Sequence, residues 1–294
     1  MVAETVELLL RAASTGSIYA LIAMGYNVVF ATTNILNFAH GETFMIGTLA
    51  ALVMEVTLGV PLWLSIPAAL LVGGLVGMIT ESVAVYPVMR KSPGSWGWLL
   101  STLGLGIMVR RLAEISTGNE AVPVPPLLPD RPYDVYGISV NPQFMVPVIA
   151  AVLITVILQV FSTRTLVGMA IVATAQDRDA ASLRGINVRQ MSLLAFAIGA
   201  GIGALTGFLV SPVTFAYAGV GALFSMKGFV AAAAGGMGHN YGALLGGFLL
   251  ALVEEIGVLA VGASYRDVMA VILILAIMLV RPEGFFGSAQ VREV

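Results

Sequence analysis

Two short stretches of this chain hold most of the side chains able to do chemistry. Asn34, Asn37, His40 and Glu42 lie close together in NILNFAHGE, at the end of a long apolar run. Two amides, an imidazole and a carboxylate at that spacing can hydrogen-bond a small polar solute. Facing lipid they would be costly; at membrane depth such groups belong in protein or on a cavity wall. They are therefore candidates to line or gate a polar pathway, with an interfacial turn as the alternative. The second stretch, TRTLVGMAIVATAQDRDAASLRGINV, runs from Thr163 to Val188 and carries Arg164, Asp177, Arg178, Asp179 and Arg184. A segment this charged cannot lie in hydrocarbon, so it marks one side of a membrane. Its alanine-rich middle, Ile171 to Leu183, is expected to form one short helix ended by Gly185 and presented to a partner.

Other chemistries lack their residues. Neither His40 nor His239 has a second histidine, cysteine or carboxylate at ligand spacing, so no metal site is expected. Lys91 and Lys227 follow Arg90 and Met226, which excludes a G-x-x-x-x-G-K-[ST] phosphate loop and, with it, ATP hydrolysis by a P-loop in this chain. No nucleophile–histidine–carboxylate order argues for an enzyme. Glu81, Glu254 and Glu255 fall in or near apolar runs and are functional candidates by default. They are also what a stand-alone channel or ion-coupled carrier would need. Arg110 and Arg111 with Glu114 have the spacing of helix-surface ion pairs and read as structural.

The elements that must position these groups follow from composition. Of 294 residues, 59% are hydrophobic and 10% charged, and the net charge is −2. The mean hydropathy is +0.97. Soluble domains carry about 25% charged residues, so this chain is a polytopic membrane protein, and nothing points to nucleic acid. Its single unit, 1–294, is expected to be all-α, a bundle of about 8–9 spans. The candidate spans are 6–30, 42–60, 62–88, 96–115, 144–161, 190–212, 220–237, 242–262 and 267–281. The run 220–237 is the weakest, since it holds Lys227 and several glycines, and reads equally as a re-entrant helix. The first run, from about Val6, follows Glu4 and not a basic cluster, so it reads as a span and not a leader.

Basic residues set the orientation. Arg90, Lys91, Arg164, Arg178, Arg184, Arg189, Arg281 and Arg292 gather in two loops and at the C-terminal end. The loop 116–143 sets only Arg131 against Glu120, Asp130 and Asp134. The charged loop 163–189 is therefore expected in the cytoplasm and the loop 116–143 outside, with an outside N-terminus if there are nine spans. Pro123, Pro125, Pro126, Pro129 and Pro132 make the outer loop extended, as a connector or as part of a docking surface. Small-xxx-small pairs such as Gly73/Gly77, Gly199/Gly203, Gly203/Gly207 and Gly242/Gly246 provide faces for close helix packing, within or between subunits. A weak internal echo at an offset of 199 residues aligns His40 with His239, Gly47 with Gly246 and Glu55 with Glu254.

These motifs resemble one family. The segments GSIYALIAMGYNVVFATTNILNFAHGETFMIGTLAA, VGMAIVATAQDRDAASLRGINV, KGFVAAAAGGMGHNYGALLGGFLLALVEE and RPEGFFG, in this order, are similar to the LivH-type permeases of branched-chain amino acid ABC importers. The resemblance covers nearly the whole chain. It implies that Ala175, Gln176, Asp177, Arg178, Ala180, Arg184 and Gly185 belong to a coupling helix docked on an ATPase. It further implies a LivM-like second permease, two cytoplasmic ATPases that bind ATP and Mg, and a periplasmic or extracellular binding protein. The chain itself would bind no cofactor and would sit in a bacterial or archaeal cytoplasmic membrane. Similar permeases serve neutral amino acids, short amides, urea or aromatic acids, so the resemblance leaves the substrate open.

Overall fold

The structure, a computed structural model, describes residues 2–92, 95–129, 131, 133–135 and 138–287. Asp130 and Arg292, used above to assign sides, and Pro132, used for the outer loop, lie outside the described residues. Helices follow the apolar runs: α1 (Val2–Thr33), α2 (His40–Ala51), α3 (Leu62–Thr80), α4 (Tyr86–Lys91), α5 (Gly97–Thr117) and α6 (Met145–Arg164). They continue with α7 (Leu166–Gln176), α8 (Arg178–Leu183), α9 (Val188–Thr214), α10 (Val220–Gly235), α11 (Asn240–Val261) and α12 (Arg266–Val280). Wider π turns, Leu52–Thr57 and Glu81–Val85, extend α2 and join α3 to α4.

Every expected span is helical, but the helices are not equal. Six are long and apolar enough to cross a membrane: Val6–Thr33, Leu62–Lys91, Pro142–Arg164, Val188–Thr214, Asn240–Val261 and Ala263–Val280. The remaining three fall short for separate reasons. The helix α2 with its π turn carries His40, Glu42 and Glu55, and α5 carries Arg110, Arg111 and Glu114. At 16 residues, α10 spans only about 24 Å at 1.5 Å per residue, which fits the re-entrant alternative.

Small residues bring the backbones together. A β-carbon added at Gly77 would overlap the Phe196 carbonyl, one at Gly207 the Phe44 carbonyl, and one at Gly246 the Ala231 carbonyl. In lipid no hydrophobic force draws helices together, so these close approaches carry the packing. The glycine faces expected to serve within or between subunits therefore serve within this chain. The helices α1 and α9 are the most enclosed, while α3 and α12 leave most of their surface open.

The outer loop adds the one non-helical element among the described residues, an antiparallel hairpin pairing Tyr133–Val135 with Ile138–Val140. Val122 and Ala216 exchange backbone bonds at 3.0 and 2.9 Å, which ties this loop to the α9–α10 turn. Gln143 fastens its far side by accepting from Leu127 N at 3.1 Å. The RPEGFFG segment folds back on α10: Phe285 N donates to Ala234 O at 2.9 Å and Phe286 N to Gly235 O at 3.1 Å. Those carbonyls end a helix and would otherwise lack donors.

Candidate functional site

The chain reverses after α1 and climbs back into the bundle. Asn34 takes a left-handed backbone, φ 54°, which ends the helix as asparagine tolerates. The following residues Ile35, Asn37 and Ala39 are buried. His40 then packs its ring 4.4 Å from that of Tyr26, with Nε2 3.2 Å from the Ile22 carbonyl. Ile22 precedes the end of α1 by 11 residues, so His40 sits about 16 Å back along that helix.

The four expected pathway residues therefore separate. Asn34 is an exposed helix end. The Asn37 carboxamide Oδ1 accepts from Ala39 N at 3.0 Å, building the turn that starts α2. His40 is 1% exposed and wedged between α1 and α9, with Gly25 and Gly203 at its ring. Glu42 lines a cleft. His239, the other half of the internal echo, is exposed at the start of α11, where its carbonyl accepts from Asn27 at 2.9 Å. The two histidines thus sit at different depths, whereas Gly47 and Gly246 both mark close helix contacts.

The Glu42 cleft, about 370 Å³, lies between α1, α2, α5 and α10. Its apolar wall is Phe38, Leu103, Ile107, Met226 and Phe229; its polar groups are Glu42, Arg110, Tyr26 and Ser225. The Tyr26 and Ser225 hydroxyls bond each other at 2.6 Å. Neither end of the charged pair is saturated: Glu42 Oε2 and Arg110 Nε are buried without a hydrogen-bond partner. The Arg110 Nε reaches Glu114 only at 3.9 Å. Sequence spacing paired Arg110 with Glu114 and missed the cleft.

A second cluster closes a cleft of about 320 Å³ near the α9–α10 turn. Lys227 Nζ lies 3.0 Å from Glu254 and 2.9 Å from Asp267, and the Tyr19 hydroxyl donates to Glu254 at 2.8 Å. Arg266 pairs with Glu255 beside it. Lys227 thus accounts for the polar break in α10, and Glu254 and Glu255 are engaged by cations. Glu81 is also buried, with Ser82 and Ser192 as hydrogen-bond partners and Arg189 and Arg178 nearby.

The charged segment differs from expectation in one respect. It forms two helices, not one, because Asp177 leaves helical geometry (φ −154°) and accepts from Asp179 N and Ala180 N, both at 2.9 Å. Asp177 is thus the N-cap of α8, its Oδ1 already committed to two backbone donors. Gly185, φ 85°, ends α8 as expected. Gln176, Arg178, Ala180 and Arg184 are exposed and Ala175 is half-buried. Leu183, 88% exposed in this polar surface, is a contact candidate that charge patterning overlooked. At the other end of α7, Gly168 and Ile171 border a cleft of about 420 Å³ shared with Asn27 of α1 and Phe286 of the RPEGFFG segment.

Membrane-length helices enclosing polar clefts define a multi-pass helical membrane protein. The fold matches the solved structure "PsaBC from Streptococcus pneumoniae in complex with Fab" at a TM-score of 0.50, with 12% identity, over 97% of this chain and 98% of that one. The family model described as "Branched-chain amino acid transport system / permease component" matches residues 8–279. The chain belongs to that family. It is 32% identical to the high-affinity branched-chain amino acid transport system permease protein BraD of Pseudomonas aeruginosa, over 97% of both chains. It is 33% identical to the corresponding LivH of Escherichia coli, over 95% of this chain and 94% of that one.

Proposed function

We propose that this chain is one transmembrane subunit of an ATP-driven importer for branched-chain or other neutral amino acids. A single observation carries the reading: the end-to-end similarity to BraD and LivH, proteins of high-affinity branched-chain amino acid transport. A LivM-like permease would supply the other half of the pathway, and an external binding protein would deliver the substrate. Two cytoplasmic ATPases would bind ATP and Mg, so hydrolysis would not reside in this chain. The setting would be the cytoplasmic membrane of a bacterium or archaeon.

The exposed charged segment supports a mechanism of this kind. The exposed α8 surface, with Gln176, Arg178, Ala180, Leu183 and Arg184, would seat in an ATPase. Asp177 and Gly185 hold that helix at a fixed length, and the α7 cleft gives it room to move against α1. Closure of the ATPases would then shift the populations of outward- and inward-facing bundles, because each state is bound differently by ATP and by the loaded binding protein. Glu254, tied to Lys227, is a poor coupling-ion ligand, which speaks against an ion-driven carrier.

Proteoliposomes holding this chain, its partner permease and both ATPases test the reading, with ATP inside and loaded binding protein outside. ATP-dependent accumulation of leucine, isoleucine or valine is expected. Accumulation of only urea or an amide would move the substrate class, and equilibration without ATP would sink the importer.

A further inference from the structure

We infer that the cleft between α1, α2, α5 and α10 is a transit site for a zwitterion with an apolar side chain, held by Glu42 and Arg110. This rests on the amino-acid importer reading and names the residues that would recognise the substrate.

The argument begins with what is unmet. Glu42 is 9% exposed and, among the described residues, forms no hydrogen bond or salt bridge. A carboxylate buried without partners is destabilising, so it calls for a donor that arrives from outside the chain. Arg110, on the facing helix, is the cation whose field reaches Glu42. Among the described residues its ion-pair partner is Glu114, at 3.9 Å too distant for a hydrogen bond. An acceptor and a donor of opposite charge thus line one cleft without neutralising each other directly. An α-amino acid carries the complement, an ammonium and a carboxylate on one carbon.

The walls describe the rest of the ligand. Phe38, Leu103, Met226 and Phe229 surround the pair with apolar surface, which suits a branched aliphatic or aromatic side chain. The volume, about 370 Å³, lies in the range of small-ligand sites. Gly106 is part of the lining, and a β-carbon there would meet Ala39 at 3.4 Å and Glu42 at 3.6 Å, ordinary contact distances. A urea-sized solute would leave most of this surface unfilled, and an organic acid without an amine would leave Glu42 unpaired.

The test uses the whole reconstituted importer. Leucine uptake and binding-protein-stimulated ATP hydrolysis are measured in parallel for the wild type, Glu42→Gln, Arg110→Gln and Met226→Trp. The two neutral variants should lose about ten- to a hundredfold in uptake, the scale of a charged hydrogen bond, while stimulated hydrolysis and assembly persist. Met226→Trp, at a half-exposed position, should block uptake by filling the cleft without altering a charge. Wild-type uptake by all three variants would overturn the site. So would a loss of assembly in both charge variants together with wild-type uptake by Met226→Trp, which would make the pair structural. A wild-type complex that moves no amino acid would instead defeat the importer reading, before any variant is compared.

Discussion

Two charged clusters share the interior of this bundle, and they differ in how completely they are paired. Around Lys227 every charge has a near partner: Glu254 at 3.0 Å, Asp267 at 2.9 Å, and a tyrosine hydroxyl on Glu254 at 2.8 Å. Around Glu42 the cation is held off: among the described residues Glu42 has no ion pair, and Glu42 Oε2 and Arg110 Nε are buried without hydrogen bonds. Glu254 Oε1, also without a hydrogen bond, still has the Lys227 ammonium at 3.0 Å. The first arrangement ties α1, α10, α11 and α12 into one body. The second leaves unmet bonding capacity facing a space large enough for a solute. In low-dielectric surroundings a charge held in ion pairs fastens its helices and an unpaired one is costly, so the contrast separates fastening from recognition.

The largest effect should come from breaking the closed cluster. Lys227→Met leaves Glu254, which is fully buried, without its cation, and removing one partner of a buried pair costs about 3–5 kcal/mol. Thermal unfolding of the purified complex in detergent should show a large fall. Lys227→Met combined with Glu254→Leu should recover much of it, since no charge is then left unpaired. A single variant as stable as wild type would show that the cluster fastens nothing. Next in size is Gly207→Leu, whose side chain must displace the Phe44 backbone; overpacking of this kind costs about 1–3 kcal/mol. It should lower the unfolding temperature less than Lys227→Met does, and no change would mean that α2 and α9 are held by something other than close contact.

What sequence could and could not reveal divides along the same line. The apolar runs placed the helices because hydropathy is a local property, and the glycine spacing marked the faces that pack. The shortness of α10 was visible in Lys227 and its glycines. The partners of Lys227 were not, since Glu254 and Asp267 meet it only when antiparallel helices come together. The depth of His40 was equally hidden, because it depends on a chain reversal that no local pattern encodes. Of the expected pathway residues Glu42 lines the cleft described above, and Arg110 was missed because Glu114 offered a nearer partner in sequence. The break at Asp177 was legible in principle: an aspartate before Arg-Asp-Ala-Ala is a helix start signal. The absence of glycine and proline from Ile171 to Leu183 concealed it.

That cap supplies a smaller effect, outside both clusters. Asp177→Ala removes the acceptor for two backbone donors and should cost about 1 kcal/mol, read as weaker ATPase docking and little change in bundle stability. Asp177→Asn keeps the acceptor and loses the charge, so it should dock nearly as well as wild type. Equal loss in both variants would make the charge itself the contact.

The smallest effect returns to the open cluster and is its sharpest stability test. In Glu42→Gln the side chain keeps its shape and loses a buried charge that no salt bridge compensates, so the unfolding temperature should stay the same or rise. Lys227→Met and Glu42→Gln each neutralise one buried charge, yet the predicted stability changes differ in size and in sign. A fall in Glu42→Gln comparable to that of Lys227→Met would mean that Arg110 already satisfies Glu42 within the chain. The cleft would then be a second fastening, and no unmet group would remain there to receive a ligand.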